Sequence, residues 1–231
     1  MIADLRGREA IPEEVFAQDD LRRLVVAEMG LTSVDPRVGG LTVLHTLDLA
    51  HNALAEVPEE LGRLSALEIL YLGENVLDEV PPAVRELKAL KYLGMDANRL
   101  VALPDWLGEL TALVELRIQG NALASLPPSL GALGDLRELH ARGNGLTSLP
   151  PSLGDLHALR VLDLRDNALT ELPPLDTLTN LRQLDLRANP LLHLPPLPES
   201  LERLDLRWTP FFPELPEAAR AVVERGGVVW A

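Results

Sequence analysis

Nine leucine pairs recur along the chain at almost constant spacing, and this period constrains the fold more than any other feature of the sequence. Each pair has the form Leu-x-Leu, with another apolar residue in place of the second leucine in some units. The first members of the pairs are Leu24, Leu47, Leu70, Leu93, Leu116, Leu139, Leu162, Leu184 and Leu204. The successive steps are 23 residues six times, then 22 and 20. A unit of this length cannot bury its leucines alone, so neighbouring units must stack.

Each Leu-x-Leu pair predicts a short β-strand, because alternate side chains of a strand point to the same face. An asparagine follows the second leucine by three residues in the inner units. A buried amide side chain without partners costs about 1–3 kcal/mol, and the backbone of a turn can supply those partners. The asparagine column is Asn52, Asn75, Asn98, Asn121, Asn144, Asn167 and Asn189.

A proline column follows the asparagines and predicts the start of a short helix in each unit. Proline fixes φ and lacks an N–H donor, so it suits the beginning of a helix. The segments PEELGRL and PPSLGAL leave room for only one or two helical turns. The column is Pro58, Pro81, Pro104, Pro127, Pro150, Pro173 and Pro195.

The complete unit, L-x-x-L-x-x-L-x-L-x-x-N-x-L-x-x-L-P-x-x-L-x-x, closely resembles the leucine-rich repeat family over about residues 18–215. The LPxxLGxL segments are similar to the intracellular 23-residue class, and LPPLPESLERLDL is similar to the shorter repeats of bacterial secreted effectors. The resemblance implies an α/β fold: a right-handed solenoid with a curved parallel sheet on its concave face and short helices or turns on its convex face. It also implies that each asparagine points inward and bonds backbone groups of the turn, and it implies no catalytic residue.

The two ends of the chain differ from the repeats and predict caps. We expect residues 1–17 to form an N-terminal cap, residues 18–215 about nine repeats, and residues 216–231 a C-terminal cap helix with a tail. The segment PEAARAVVERGGVVWA reads as an amphipathic helix stopped by Gly226 and Gly227. Trp230 is expected to anchor this cap over the last leucines, and Trp208 is expected to be held by the cap rather than to contact a ligand.

The residues between the leucines predict the exposed surface of the concave sheet. Its C-terminal half carries stacked arginines flanked by aspartates, and its N-terminal half places two tyrosines close together. Tyr and Arg are over-represented among the residues that dominate binding energy, so the sequence predicts a protein-binding surface. Its expected contact residues are Tyr71, Tyr92, Asp96, Arg117, Gln119, His140, Arg142, Asp163, Arg165, Asp185, Arg187 and Arg207. The alternative is that the arginines and aspartates only neutralise one another, since exposed ion pairs contribute about 0–1 kcal/mol each.

The sequence predicts no catalytic residue, no metal site and no cofactor. His140 and Asp163 fall at equivalent positions of adjacent strands and could form a hydrogen-bonded pair, but no Ser, Thr or Cys nucleophile accompanies them. The five histidines lack metal-ligand spacing, phosphate-binding glycine motifs are absent, and the chain contains no cysteine. We therefore expect a protein that is not an enzyme; an enzyme with an unrecognised site is the remaining alternative.

The net charge of −14 disfavours a nucleic-acid partner, because a polyanion would be repelled. No apolar stretch approaches the roughly 20 residues of a membrane span, and the N-terminal segment lacks the apolar region of a secretory signal. We expect a cytoplasmic protein that binds a partner protein through its concave face. The alternative is a bacterial effector or toxin-like protein that acts on host or competitor proteins after export by a signal-peptide-independent system. A homodimer through the concave face or an edge strand is also open.

Overall fold

The computed structural model describes residues 1–8, 10–211 and 213–231. Within them, eleven strands form one sheet in which each strand pairs in parallel with the next strand along the chain. The predicted α/β solenoid with an all-parallel sheet is therefore confirmed. The strands are β1 Ile2–Asp4, β2 Arg23–Val25, β3 Thr46–Asp48, β4 Ile69–Tyr71, β5 Tyr92–Gly94, β6 Glu115–Arg117, β7 Glu138–His140, β8 Val161–Asp163, β9 Gln183–Asp185, β10 Arg203–Asp205 and β11 Val228–Trp230.

Short helices connect many of these strands. Within the described residues they are the 3-10 helices η1 Glu13–Val15, η2 Pro36–Gly40, η3 Glu59–Arg63, η4 Pro82–Glu86, η5 Asp105–Glu109, η6 Pro128–Ala132 and η7 Pro151–Asp155, and one α-helix, α1 Glu217–Glu224. Five column prolines lie directly before their helices, as predicted: Pro58, Pro81, Pro104, Pro127 and Pro150. The prediction of a helix start is wrong for Pro173 and Pro195, which no helix follows directly among the described residues. The described connections β8–β9 and β9–β10 contain turns but no helix, consistent with their shorter spacing of 22 and 20 residues.

The leucine pairs form one continuous core. Leu47, Leu70 and Leu93 are direct partners on successive strands, and each is fully buried. The same register continues along the sheet, so that one cluster of buried residues extends from Leu5 to Val222. Because alternate residues of a strand face opposite sides, the leucines fill the interior and the residues between them face the concave surface.

The asparagines join each turn to the preceding one, as the family resemblance implied. The Asn75 side-chain oxygen accepts the N–H of Leu54 at 3.0 Å. Its amide group donates to the carbonyl oxygens of Leu49 and Leu72, at 3.0 and 3.1 Å. Equivalent bonds recur from Asn52 to Asn189, so one side chain per repeat ties two neighbouring turns together.

The residue before each asparagine of the column has a positive φ, as do the residues before Met29 and Thr209 at the equivalent positions of the first and last repeats; the sequence did not predict this. Seven of these nine residues carry a side chain, although L-residues pay roughly 1–2 kcal/mol in the left-handed region. In the seven repeats with an asparagine at the next position, the hydrogen bonds of its side chain hold this turn in place. The nine residues are Glu28, His51, Glu74, Ala97, Gly120, Gly143, Asp166, Ala188 and Trp208.

Both ends of the sheet extend beyond the nine predicted strands. At the N-terminal end β1 pairs with β2, and at the C-terminal end β11 pairs with β10 after a turn at Gly226, whose φ is +87°. The expected anchoring role of Trp230 is wrong, because this residue lies on β11 and is 43% exposed. Trp208 is also not held by the cap: it is 75% exposed, and the Arg207 guanidinium carbon lies 5.7 Å from the centre of its ring.

The division of the chain into caps and repeats remains a proposal. The expected cap over residues 1–17 contains Glu9, and the expected repeat region over residues 18–215 contains Phe212. Both residues lie outside the part of the chain that the structure describes.

Candidate functional site

An open cavity of about 210 Å³ lies on the N-terminal half of the concave sheet. We call it the aromatic cavity. Five predicted contact residues line it, on strands β4–β6 and in the turns that follow them, together with smaller neighbours. The lining residues are Ala50, His51, Tyr71, Gly73, Glu74, Tyr92, Asp96, Arg117 and Gln119.

The two tyrosines of the aromatic cavity form a pair. The ring centres of Tyr71 and Tyr92 are 4.8 Å apart and their planes are tilted by 47°, which is a favourable arrangement for two aromatic rings. Gly94 makes room for this pair, since a Cβ there would lie 3.1 Å from the Tyr92 hydroxyl oxygen. Burial raises the pKa of Tyr92 to about 12, so its hydroxyl stays neutral at pH 7 and can donate a hydrogen bond.

The polar wall of the aromatic cavity combines paired groups with one buried acceptor, on Gln119, that has no partner among the described residues. Arg117 donates from Nε to Oε1 of Glu115 at 2.5 Å. The side-chain oxygen of Gln119 is buried and accepts no hydrogen bond from the described residues. A buried acceptor left without a donor costs about 1–3 kcal/mol, so this oxygen is a suitable point for a ligand donor.

A second open cavity, of about 350 Å³, lies on the C-terminal half of the concave sheet. We call it the acidic cavity, because three aspartates on consecutive strands line it. It contains the predicted contact residues His140, Asp163 and Asp185, and it ends at Trp230. The lining residues are His140, Val161, Leu162, Asp163, Gln183, Leu184, Asp185, Arg203, Asp205 and Trp230.

The tripeptide Asp-Leu-Arg occurs at residues 163–165, 185–187 and 205–207. We call each aspartate together with the arginine two residues later a rung. In two of the three rungs the aspartate and the arginine form an ion pair with each other. Arg187 donates to both carboxylate oxygens of Asp185, at 2.9 and 2.5 Å. Arg207 does the same with Asp205, at 3.0 and 2.7 Å. The alternative stated for these residues, that the arginines and aspartates only neutralise one another, therefore accounts for Asp185 with Arg187 and for Asp205 with Arg207.

The rung of Asp163 and Arg165 is different. Among the described residues no ion pair joins their side chains, and Nε of Arg165 is buried without a partner. Asp163 accepts a hydrogen bond from the backbone N–H of Arg165 at 3.3 Å. Burial raises the pKa of Asp163 to about 6; the charge of Asp185 adds to the rise, while His140, Arg142 and Arg187 oppose it.

Replacing Asp163 with asparagine is expected to stabilise the protein at pH 7.5 and to have no effect near pH 4. The folded-state pKa of Asp163 is raised above the usual 3.8, so the folded protein holds the carboxyl proton more tightly than the unfolded chain does. The stability that comes from this proton binding is lost as the pH rises through about 6. Allowing for solvent screening of a half-exposed group, we expect a gain of about 1 kcal/mol above pH 7, or about 2–4 °C in Tm. Thermal unfolding at both pH values measures it.

The matched control for this substitution is Asp48→Asn. Asp48 occupies the equivalent position of β3 and accepts the same type of backbone hydrogen bond, from Ala50 at 3.1 Å, but lies outside the acidic cavity. We expect its stability change to stay within about 0.5 kcal/mol. If the wild-type protein and the Asp163→Asn variant were equally stable at pH 7.5, our conclusion that the charged Asp163 carboxylate destabilises the folded protein would be wrong.

The hydrogen bond that His140 and Asp163 could have formed across adjacent strands is absent: His140 bonds Glu138 instead. Nε2 of His140 lies 3.1 Å from Oε2 of Glu138, on the same strand. The ligand atoms of Glu115, Glu138 and His140 all lie within 4.8 Å of one another, a donor set of the kind that divalent metals use. The guanidinium of Arg117, bound to Glu115, opposes a second cation there. The search along the sequence missed this cluster because its members come from adjacent strands.

The remaining predicted contact residues, the four arginines of the C-terminal half, line neither cavity. Arg142 is exposed, and Arg165, Arg187 and Arg207 are half-buried. Trp230 is a lining residue that the sequence reading did not place on this surface. The apolar run Val-Val-Trp after two glycines could have indicated an additional strand.

The sequence matches the family profile described as leucine-rich repeat region over residues 21–143, which is more than half of the chain. The chain belongs to the leucine-rich repeat family. Profiles of one and two leucine-rich repeats match residues 135–156 and 157–199. The leucine-rich repeat fold generally mediates protein–protein interaction and is typically a non-enzymatic scaffold.

Several solved leucine-rich repeat structures are similar to this chain. A Leptospira interrogans protein is 30% identical, with a TM-score of 0.68, over 82% of this chain and 55% of that protein. The ectodomain of the Arabidopsis thaliana receptor kinase GASSHO1/SCHENGEN3, in complex with Casparian strip integrity factor 2, is 30% identical, with a TM-score of 0.76, over 90% and 27%. The Yersinia pestis effector YopM is 29% identical, with a TM-score of 0.67, over 82% and 50%.

This leucine-rich repeat chain spans about half the length of the Leptospira protein and about a quarter of the plant ectodomain. A comparison with curated proteins finds no match. No helix among the described residues has the length and apolar character that crossing a membrane requires.

Proposed function

We propose that this leucine-rich repeat protein is a non-catalytic interaction module that binds a partner protein on its concave sheet. The observation that carries the proposal is the arrangement of two open cavities on one face of the sheet. Eight of the twelve predicted contact residues line them: five in the aromatic cavity and three in the acidic cavity. This face therefore combines aromatic rings, free polar groups and charges of both signs, which are the components of a selective protein interface.

The dimensions of this surface support a macromolecular partner over a small ligand. At about 4.8 Å per strand, the seven steps from Tyr71 on β4 to Trp230 on β11 span about 34 Å. The aromatic cavity, at about 210 Å³, is smaller than the roughly 300–1,000 Å³ of typical small-molecule pockets, and the acidic cavity, at about 350 Å³, lies at the lower end of that range.

The proposed site of action is the cytoplasm, and the partner is a protein rather than a nucleic acid. The absence of cysteine fits a reducing compartment. The net charge of −14 repels polyanions and attracts basic protein surfaces. Binding by the plant ectodomain of its own protein factor is a precedent for partner recognition by this fold.

A second candidate function is that of a bacterial effector or toxin-like protein. The shortened spacing of 22 and 20 residues near the C-terminal end favours it, as does the 29% identity to YopM, an effector of Yersinia pestis. Both functions use the same binding surface and differ in where the partner resides. Detection of the protein in culture medium of intact cells, dependent on a secretion apparatus, would favour the effector.

The test of the binding surface is a variant that combines Tyr71→Ala, Tyr92→Ala, Arg117→Ala and Arg142→Ala. We expect capture of partners from native-host lysate to be lost, and affinity for a purified partner to fall at least thirtyfold, or about 2 kcal/mol. The four side chains lie on the solvent side of the sheet, so Tm should change by less than about 5 °C.

The control for this variant carries three substitutions of exposed residues outside the strands, Arg63→Ala, Arg99→Ala and Val101→Ala. It should capture the same partners as the wild-type protein. Partner capture that survives in the four-residue variant, or is lost in the control, would count against the concave surface as the binding site.

A further inference from the structure

We propose that Asp163 is a subsite for a basic side chain of the partner, an arginine or lysine, which supplies the ion pair that this rung lacks. The inference rests on the proposed function, since it specifies the chemistry of the segment that the concave sheet binds. The occupant is a short extended segment of the partner protein that lies along the acidic cavity.

The three Asp-Leu-Arg rungs provide an internal comparison for this inference. In two of them, the arginine two residues after the aspartate binds both carboxylate oxygens. Arg165 stands in the same relation to Asp163, yet its Nε is buried without a partner. The Asp163 carboxylate therefore faces the acidic cavity without a cation bound to it among the described residues, while the other two aspartates of the row, Asp185 and Asp205, are already paired.

The shape of the acidic cavity fits an extended segment. It reaches from His140 on β7 to Trp230 on β11, four strand spacings or about 19 Å. Five or six residues of extended chain, at about 3.3 Å each, cover that length. A basic side chain would enter beside Asp163, and Trp230, which is 43% exposed, would provide an aromatic surface about 14 Å further along for the other end of the segment.

The charges of the site favour a basic side chain over a metal ion. Asp185 and Asp205 are already bound to arginines and His140 is engaged with Glu138, so among the described residues no set of three metal ligands includes Asp163. A guanidinium can bind both oxygens of one carboxylate. The protein's net charge of −14 would also draw a basic partner toward this surface.

The environment of Asp163 makes this binding depend on pH. Its charged neighbours are Glu138, His140 and Arg142 from the β7 repeat, Arg165 from its own repeat, and Asp185 and Arg187 from the β9 repeat. Burial raises the pKa of Asp163 to about 6, whereas a guanidinium stays charged throughout. Binding should therefore strengthen as the pH rises through about 6, and a bound cation should lower the pKa of Asp163.

The direct test uses the peptide Ac-Gly-Arg-Gly-NH2 and its uncharged citrulline analogue as probes in NMR titrations of the full chain. We expect the arginine peptide to shift the amide signals of residues 163–165 at pH 7.5, and to bind about tenfold more weakly at pH 5, where about a tenth of Asp163 is ionised. Asp163→Asn should weaken binding at least tenfold, and Asp48→Asn should leave it unchanged. Binding of the citrulline peptide with equal affinity, indifference to Asp163→Asn, or absence of these shifts would each overturn the inference.

A second experiment separates this inference from the proposed function. Random seven-residue peptides displayed on phage are selected on the wild-type protein, and binders are retained if the variant of Tyr71, Tyr92, Arg117 and Arg142 no longer captures them. We expect these binders to contain arginine or lysine and to lose at least tenfold in affinity for Asp163→Asn. Binders that depend on the concave face but lack basic residues would overturn the subsite alone. Failure to obtain such binders would contradict the proposed function, and the titration would still decide the subsite.

Discussion

Replacing Asn75 with alanine is expected to reduce the free energy of unfolding by about 3–5 kcal/mol. Asn75 is 7% exposed and makes four hydrogen bonds to backbone groups, two of them to the preceding repeat. Alanine would leave the Leu54 N–H without its partner in the interior. The carbonyls of Leu49 and Leu72 would each lose one of two asparagine donors and keep the other, from Asn52 and Asn98. The loss would also release the turn whose preceding residue, Glu74, has a φ of +52°.

Urea denaturation followed by far-UV circular dichroism measures this loss, and Asn180→Ala is its control. Asn180 also donates to a backbone carbonyl, that of His157 at 2.8 Å, but this bond is exposed, so water can replace it and we expect a loss below about 1 kcal/mol. Similar losses for the two variants would show that the asparagine column contributes no more than an exposed hydrogen bond, contrary to our account of the turns.

The inner repeats could be predicted from the sequence because several local signals agree in every unit. The leucine pair, the asparagine three residues later and the proline that follows all specify the same strand, turn and helix start, and each unit repeats the specification. The register follows, since pairing Leu70 with Leu93 is the arrangement that stacks every other column as well. The outer strands β1 and β11 lack the leucine pair and the asparagine, so the repeating pattern did not predict them.

The composition of the concave surface could also be predicted, but the pairing within it could not. The columns place Asp163, Asp185 and Asp205 on one row of adjacent strands. The choice between a partner on the same strand and a partner on the next strand depends on rotamers, and exposed ion pairs differ by less than about 1 kcal/mol. For this reason the sequence did not distinguish the closed rung of Asp185 and Arg187 from the open rung of Asp163 and Arg165.

The solenoid separates the residues that fold the chain from those that can bind a partner. Leucines and asparagines hold the repeats together from inside, so side chains between the leucines can change without removing a core contact. This separation explains how the fold accommodates an unpaired, half-buried carboxylate at Asp163: neighbouring repeats supply the stability that this one position lowers. Substitutions on the concave surface should therefore mainly change partner binding, and substitutions in the interior should mainly change the free energy of unfolding.

Replacing Gly108 with valine is expected to cost about 3–4 kcal/mol, because the 3-10 helices of neighbouring repeats are in direct backbone contact at this position. A Cβ on Gly108, in η5, would lie 2.3 Å from the carbonyl oxygen of Ser129 in η6. The same close approach occurs at Gly39 and Gly131, where the distances would be 2.3 and 2.4 Å. Backbone atoms cannot rotate away, so the two helices would have to separate.

The helix η4 indicates what such a separation involves. Arg85 occupies the position equivalent to Gly108, and η4 packs less closely on η5 than most other neighbouring 3-10 helices pack on one another. The Arg85 side chain extends to Glu109, with which it forms an ion pair at 2.7 Å. A valine at position 108 could form no such ion pair. The expected loss of folding free energy therefore combines the lost contact between η5 and η6 with the backbone shift that removes the clash.

Urea denaturation of Gly108→Val and Gly134→Val tests whether the close contact of Gly108 with Ser129 contributes the predicted free energy. A Cβ on Gly134 meets no atom within 4 Å, so its substitution should change the free energy of unfolding by less than about 0.5 kcal/mol. Equal effects at the two positions would mean that the glycines of the 3-10 helices are not required for close stacking. A large loss at Gly108 alone would show that the spacing between repeats, and with it the spacing of the concave strands, is limited by backbone contact on the convex side.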